Sequence, residues 1–394
     1  TGIDATAVGF NALGASTATG NVAVGAKCLD ANVAGVRNTA VGYEAGGAAA
    51  GINDNDNTFI GHNAGLLSNG SASGSNTAVG SLALDAAVTS IDCTAVGKGA
   101  LTDNTADANT AVGARSLDAN VAGVRNTALG VDSGGAQAGV NDNDNTFVGY
   151  NAGLLANGSA SGSNTAVGSL ALDAAVTIID ATAIGKGALS ASTASGNTAV
   201  GARALDVNIA GTRNVAIGVD AGGAQAGAND NDNTFVGDNA GLLANGSASG
   251  GNTAIGSKAL DAAVTSINCT AVGFNALGAN TADANTAVGA GALDVNVAGA
   301  RNTAMGVNAG GAAAGANDND NTFVGYQAGL LANGSASGGN TAVGANALDA
   351  AVTSIDATAV GFNALTASTA NGNTAVGARC LDANVAGLRN VAMG

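Results

Sequence analysis

Two carboxylates per turn are the most chemically suggestive residues of this sequence. Asp54 and Asp56 alternate with Asn53, Asn55 and Asn57, and the stretch runs directly into Thr58-Phe59-Ile60. Asp and Asn side chains are hard oxygen donors of the kind that hold Ca²⁺. The same residues return as Asp142 and Asp144, Asp230 and Asp232, and Asp318 and Asp320, each pair 88 residues after the last. These eight aspartates are the candidate metal ligands, and Ca²⁺ is the one candidate cofactor. The stretch lacks the glycine and the downstream glutamate of a helix-loop-helix calcium loop. Alternating residues of an extended segment also point to opposite sides, so backbone carbonyls or a neighbouring chain would have to complete the shell. The plain alternative is a solvated turn rich in Asn and Asp.

Other reactive residue types support no catalytic reading. His62 is the only histidine, and Tyr150, Asp238 and Tyr326 occupy its place in the later copies. A catalytic base is not exchangeable for tyrosine, and no Ser/His/Asp grouping recurs, so the chain is not expected to be an enzyme. The glycine-rich "GKGAL" at Gly97 returns as "GFNAL" at Gly9 and precedes no helix, so it reads as a turn rather than a phosphate loop. Cys93 and Cys269 lie 176 residues apart, and Cys28 and Cys380 lie 352 apart. Other copies carry Ala5, Ala181 and Ala357, or Ser116, Ala204 and Ala292, in those places. Cysteine therefore stands in for a small buried residue, whereas a disulfide framework would keep its pairs in every copy.

Composition restricts what can surround these residues. Of 394 residues 63 are glycine, Pro and Trp are absent, and aromatics make up 3%. A rounded core needs large side chains, and here Ala, Val and Leu must do nearly all the packing, which only a thin structure allows. A hydrophobic content of 46% with regular patterning argues against disorder. The formal charge of −16 repels phosphate backbones and anionic membranes, so nucleic acid is not an expected partner. No apolar run reaches bilayer length, so no membrane insertion is expected, and there is no signal-peptide pattern. The chain starts and stops inside a repeat, as expected for a segment of a longer fibre protein.

A shorter repeat lies inside the 88-residue one. "NTAVG" and its variants end on Gly9, Gly25, Gly42, Gly61, Gly80 and Gly97, with spacings of 16, 17, 19, 19 and 17. The same spacings continue to Gly185, Gly273 and Gly361, giving repeats 9–96, 97–184, 185–272, 273–360 and a partial 361–394, and 23 short units by Gly394. The whole of 1–394 is one repeat region. Sixteen to nineteen residues are too few for a helix pair or a propeller blade and suit one coil of a β-solenoid. "TAVG" reads as a strand closed by a glycine turn, and "NALG", "KCLD", "AGLL" and "LALD" read as a second strand in each coil. At about 4.8 Å per coil, 22 steps make a rod of roughly 105 Å.

Each place in the coil carries an expectation. Asn precedes the strand in 18 of 23 coils, and stacked Asn side chains suit a hydrogen-bonded ladder. Thr and Val share one strand face, which is expected to turn inward. The Ala between them points the other way, onto a tightly apposed neighbour, and Phe59, Phe147, Phe235 and Phe323 replace it in one coil of five. Arg37, Arg125, Arg213, Arg301 and Arg389 share one place. Asp30, Asp118, Asp206, Asp294 and Asp382 precede them by seven residues, and Arg115, Arg203 and Arg379 lie three before that Asp. Salt bridges between coils or chains are expected. The 19-residue coils should put their extra residues into longer turns, "AAAGINDNDN" and "SNGSASGSN", forming a knob about every 24 Å.

The repeated Asn-Thr-Ala-Val-Gly, as in Asn38 to Gly42, Asn76 to Gly80 and Asn109 to Gly113, resembles the left-handed parallel β-roll heads of trimeric autotransporter adhesins. It is also similar to repeat regions of phage tail fibres. The resemblance spans essentially the whole chain. It departs in having one residue fewer between Asn and Gly, longer coils, and the regular 88-residue repeat. It implies an all-β, left-handed parallel β-roll or solenoid, a homotrimer, and an extracellular structural or adhesive role on a virion or a cell surface. A receptor or glycan would be met through a distal part. Three chains about an axis would also cover the Ala-lined face with closed symmetry.

Two further classes compete. A rank of Thr on a β-solenoid can template ice, but a Thr rank that faces inward cannot meet a surface. A left-handed β-helix acyltransferase also has short coils, but its six-residue rhythm and catalytic histidine are missing.

Overall fold

The computed structural model describes residues 4–47, 54–67, 74–86, 89–135, 143–155, 162–174, 178–223, 231–243, 250–262, 265–311, 319–331, 338–350 and 353–394. The chain is an all-β parallel β-solenoid, and its coils fall into two compact units, Thr1–Gly196 and Asn197–Gly394. Among the described residues eleven strands, from Thr6–Val8 to Thr182–Ile184, lie in the first unit, and twelve, from Thr198–Val200 to Val391–Met393, in the second.

Each coil holds one strand of three residues, mostly Thr-Ala-Val. Within each unit the strand of one coil pairs in parallel with that of the next and in register, so Thr39 lies beside Thr58, Ala40 beside Phe59 and Val41 beside Ile60. The following glycine closes the strand. Gly42 has φ of +145°, and a Cβ there would lie 2.7 Å from the Gly61 carbonyl carbon of the next coil. Only glycine tolerates both that conformation and that approach.

The second short apolar stretch is a turn, not the expected strand. Its residues two and four places after the glycine are left-handed, as at Lys27 (φ 55°) and Leu29 (φ 48°), which no extended strand allows. These turns still bond from coil to coil, the Leu13 N–H donating to the Cys28 carbonyl at 2.9 Å. A left-handed non-glycine residue costs about 1–2 kcal/mol. Complete burial of Leu29 offsets that with about 1.5–3 kcal/mol. Leucine suits this place because a β-branched side chain at positive φ is a far stronger outlier.

Strand orientation is the reverse of the sequence-based expectation. The middle residue, Ala40 or Phe59, is fully buried inside its own coil, whereas Thr39 and Val41 lie on the outer face. The Ala-lined side is thus the solenoid's own core and needs no neighbour to cover it. The core of an ordinary coil is the strand alanine, a second small residue such as Ala83 or Cys28, and the leucine that follows it. Cys28, Cys93 and Cys269 are buried in small-residue places, as expected, and all four cysteines are free.

The phenylalanines follow a volume rule. In the Phe59 coil the leucine place becomes Gly65, and in the preceding coil it becomes Gly46. A Cβ on Gly46 would lie 2.8 Å from the Phe59 ring, and one on Gly65 would clash with it outright. Phe147 has Gly153 and Gly134, Phe235 has Gly241 and Gly222, and Phe323 has Gly329 and Gly310 in the same relation. One large ring fills what two leucines would otherwise fill.

Buried asparagines join coil to coil. The Asn38 N–H donates to Asn21 Oδ1 at 2.8 Å, Asn57 to Asn38 Oδ1 at 2.9 Å, and Asn76 to Asn57 Oδ1 at 2.9 Å. The amide nitrogens reach across the coil, Asn21 Nδ2 to the Gly35 carbonyl and Asn76 Nδ2 to the Ser90 carbonyl. The expected ladder therefore runs mainly from side chain to backbone. Leaving one such buried group unpaired would cost about 1–3 kcal/mol. Residues 48–53 and 68–73, where most of the longer loops were expected, lie outside the described residues.

Phe147→Ala should lower stability by about 3–5 kcal/mol in urea unfolding of the full chain. The triple change Phe147→Ala, Gly134→Leu and Gly153→Leu should restore most of that loss. If the two leucines fail to restore it, the volume rule is wrong.

Candidate functional site

The acidic turns are occupied by protein partners. Asp56 accepts two hydrogen bonds from Arg37 one coil away, Nε at 2.6 Å and Nη2 at 2.7 Å. Asp144 takes Arg125, Asp232 takes Arg213 and Asp320 takes Arg301 in the same two-pronged way. These salt bridges join neighbouring coils as expected, but the arginines choose the Asn-Asp turn and not the earlier Asp30 place. Arg115 and Arg203 likewise choose Asp132 and Asp220.

The guanidinium bonds hold the carboxyls of Asp56, Asp144, Asp232 and Asp320 below the usual carboxylate range. A depressed folded-state value stabilises above the unfolded-state pKa, and that contribution is lost as pH falls through the folded one. These pairs are largely exposed, so solvent screening keeps the effect small.

Asp54 is fully buried, and its backbone carbonyl accepts Asn38 Nδ2 at 2.6 Å. Asp142, Asp230 and Asp318 lie outside the described residues. Among the described residues no three His, Cys, Asp or Glu side chains gather as a metal site. A cation at Asp56 would have to displace a guanidinium that already holds both carboxylate oxygens.

A second set of aspartates behaves oppositely. Burial raises the carboxyls of Asp85, Asp118, Asp173, Asp261, Asp294 and Asp349. A raised folded-state value opposes folding at neutral pH, and stability returns as pH falls through it. Burial also pushes the Cys28 and Cys93 thiols up to about 11, which keeps them protonated and unreactive.

His62 is exposed and stacks on Tyr43, ring centroids 5.5 Å apart and 10° from parallel. Beside them Lys27 Nζ bonds Glu44 Oε1 at 2.9 Å. These are surface contacts between coils, in keeping with a variable outer place.

Two features escaped the sequence reading. Asn32, Asn120, Asn208 and Asn296 form a second buried set, Asn32 closing a turn through both its amide atoms to Gly35 at 2.9 and 3.0 Å. Their recurrence every 88 residues in "NVAG" or "NIAG" was the available signal. The other is the outer strand face, which consists only of Thr, Val, Ile, Leu and Met and carries no charge. Thr and aliphatic side chains sit two residues apart along each strand, roughly 7 Å, and repeat at about 4.8 Å from coil to coil. Val41, Ile60, Leu129 and Met305 are each about two-fifths to one-half exposed there, at 39, 41, 49 and 49%.

No protein-family model matches this chain, and no curated protein matches it.

Chelation is expected to leave the melting temperature unchanged in calorimetry, because arginine already holds the turn carboxylates. Asp173→Asn should raise the melting temperature at about pH 7, and the gain should vanish near pH 3, below the ordinary aspartate value.

Proposed function

We propose that this chain is the shaft of an extracellular fibre, a homotrimer that stiffens and presents a surface-binding appendage of a virion or a bacterial cell. The observation that carries this reading is the outward aliphatic rank. Eleven strands with two outward side chains apiece offer 22 residues in the first unit, and twelve offer 24 in the second. A stable protein interface uses about 20–30 residues a side, so each unit presents one interface's worth of uncharged surface. An exposed apolar area of that size calls for cover. Covering it with further copies of the chain gives closed symmetry and a thicker, stiffer rod. The number three rests on the resemblance of the Asn-Thr-Ala-Val-Gly repeats to trimeric fibres. The Ala-lined face has no part in it, because that face is the core of each chain.

Ice binding gains support from the same face. An inward Thr rank could not meet ice, but the Thr rank of this chain is outward. Regularly spaced hydroxyl and methyl groups on an uncharged sheet can order water. The two readings compete for one surface, since a face buried between chains cannot meet ice.

Light scattering on the full chain should give three chains per particle, and thermal hysteresis should be absent. A stable monomer would overturn the trimer, and hysteresis from such a monomer would establish the ice-binding reading instead.

A further inference from the structure

The outer face is not uniform along the 88-residue repeat. In the third coil of each repeat, large apolar residues flank the turn glycine on both sides. These are Val41 and Tyr43 around Gly42, Leu129 and Val131 around Gly130, Ile217 and Val219 around Gly218, and Met305 and Val307 around Gly306. All eight side chains are exposed.

No other coil does this in every copy. After the glycine the second coil has Ala26, Ala114, Ala202 and Ala290, and the fifth has Ser81, Ser169, Ser257 and Ala345. In the first coil the place is held by Phe10, Phe274 and Phe362 but by Lys98 and Lys186 in the other two copies, and the fourth varies from His62 to Asp238. In three of the four repeats the aliphatic residue before the glycine is also larger in the third coil than in the second, Leu129, Ile217 and Met305 against Val112, Val200 and Val288.

We propose that these third-coil collars set the register in which copies of this chain associate. The inference rests on the self-association reading and names the residues that give it specificity. The occupant follows from the period. A collar that recurs every 88 residues is read in full only by a surface with the same period, and another copy of this chain is such a surface. Val41, Leu129, Ile217 and Met305 belong to the Thr and aliphatic face itself, and Tyr43, Val131, Val219 and Val307 follow just past the turn glycine, so the collars lie along the contact that face would make.

Register needs such a device. Most strands present the same Thr and Val, so a slip of one coil between copies would cost little on that face alone. With collars, a one-coil slip sets Leu129 and Val131 against Val112 and Ala114, and large no longer meets large. A slip of a whole repeat restores the match but leaves five coils uncovered.

The test uses the full chain with Cys380→Ala, the residue found in that place at Ala204 and Ala292, and a single spin label at Ser169→Cys. A collar variant carries Leu129→Asn, Ile217→Asn and Met305→Asn. A control carries the same change at Val112, Val200 and Val288. Unchanged circular dichroism shows that both fold. The unsubstituted chain and the control should give one narrow inter-chain distance. The collar variant should give several distances and associate about tenfold more weakly than the control in sedimentation. A collar variant with the narrow distance and the control's affinity would overturn the inference while association stands. A monomeric unsubstituted chain with no inter-chain distance would overturn the association reading itself, and the collars with it.

Discussion

Everything in this structure depends on holding one strand spacing, about 4.8 Å, from each coil to the next. The three-residue strands are too short to enforce this by themselves. The turn glycine does so, because Gly42 sits directly over the Gly61 carbonyl with no room for a side chain. The asparagine before the strand does so from the other end, since its Oδ1 accepts the next coil's backbone N–H. Coils of 16 to 19 residues can then share one stack, because both ends of most strands are fixed and length varies between them.

The same constraint explains the interior. At fixed spacing the core cannot swell to accept a larger residue, so a gain in one place must be matched by a loss in its neighbours. Phe59 with Gly46 and Gly65 is that exchange, made in two adjacent coils at once. The buried polar residues obey it too. Asn32 turns back on Gly35 and fills the coil's far end while pairing both atoms of its own amide.

Outside the core, charge and apolar surface are kept apart. The carboxylates and guanidiniums pair across coils at the turns, as Arg37 and Asp56 do, and the strand face is left uncharged. Exposed pairs contribute little stability, but each two-pronged contact fits only one partner coil. The result is a surface whose turns are acidic and hydrated and whose strand face is suited to contact with other matter. Fibre assembly and ice binding are both uses of that face, and neither needs a reactive group.

The sequence by itself determined the solenoid. The 16-to-19-residue spacing of glycines, the 88-residue return and the β-branched "NTAVG" leave few other folds, and they placed the 23 strands found among the described residues and the buried Cys28, Cys93 and Cys269. It also marked the arginines as salt-bridge formers. Only the tertiary structure decided which side of the strand faces in. Alternation shows that Thr39 and Val41 share a face and that Ala40 does not, but it is the same pattern whichever face is buried. The interior is too narrow for two β-branched residues per strand once the leucine of the turn has entered it, so alanine goes inside and Thr and Val go out. The turn leucine shows the same limit: "KCLD" has the apolar residues of a strand, and only the left-handed Lys27 and Leu29, set by the need to reverse direction within a few residues, make it a turn. The partner of Asp56 was hidden for a related reason. Arg37 lies 19 residues away, and that separation becomes a contact only after the coil has closed.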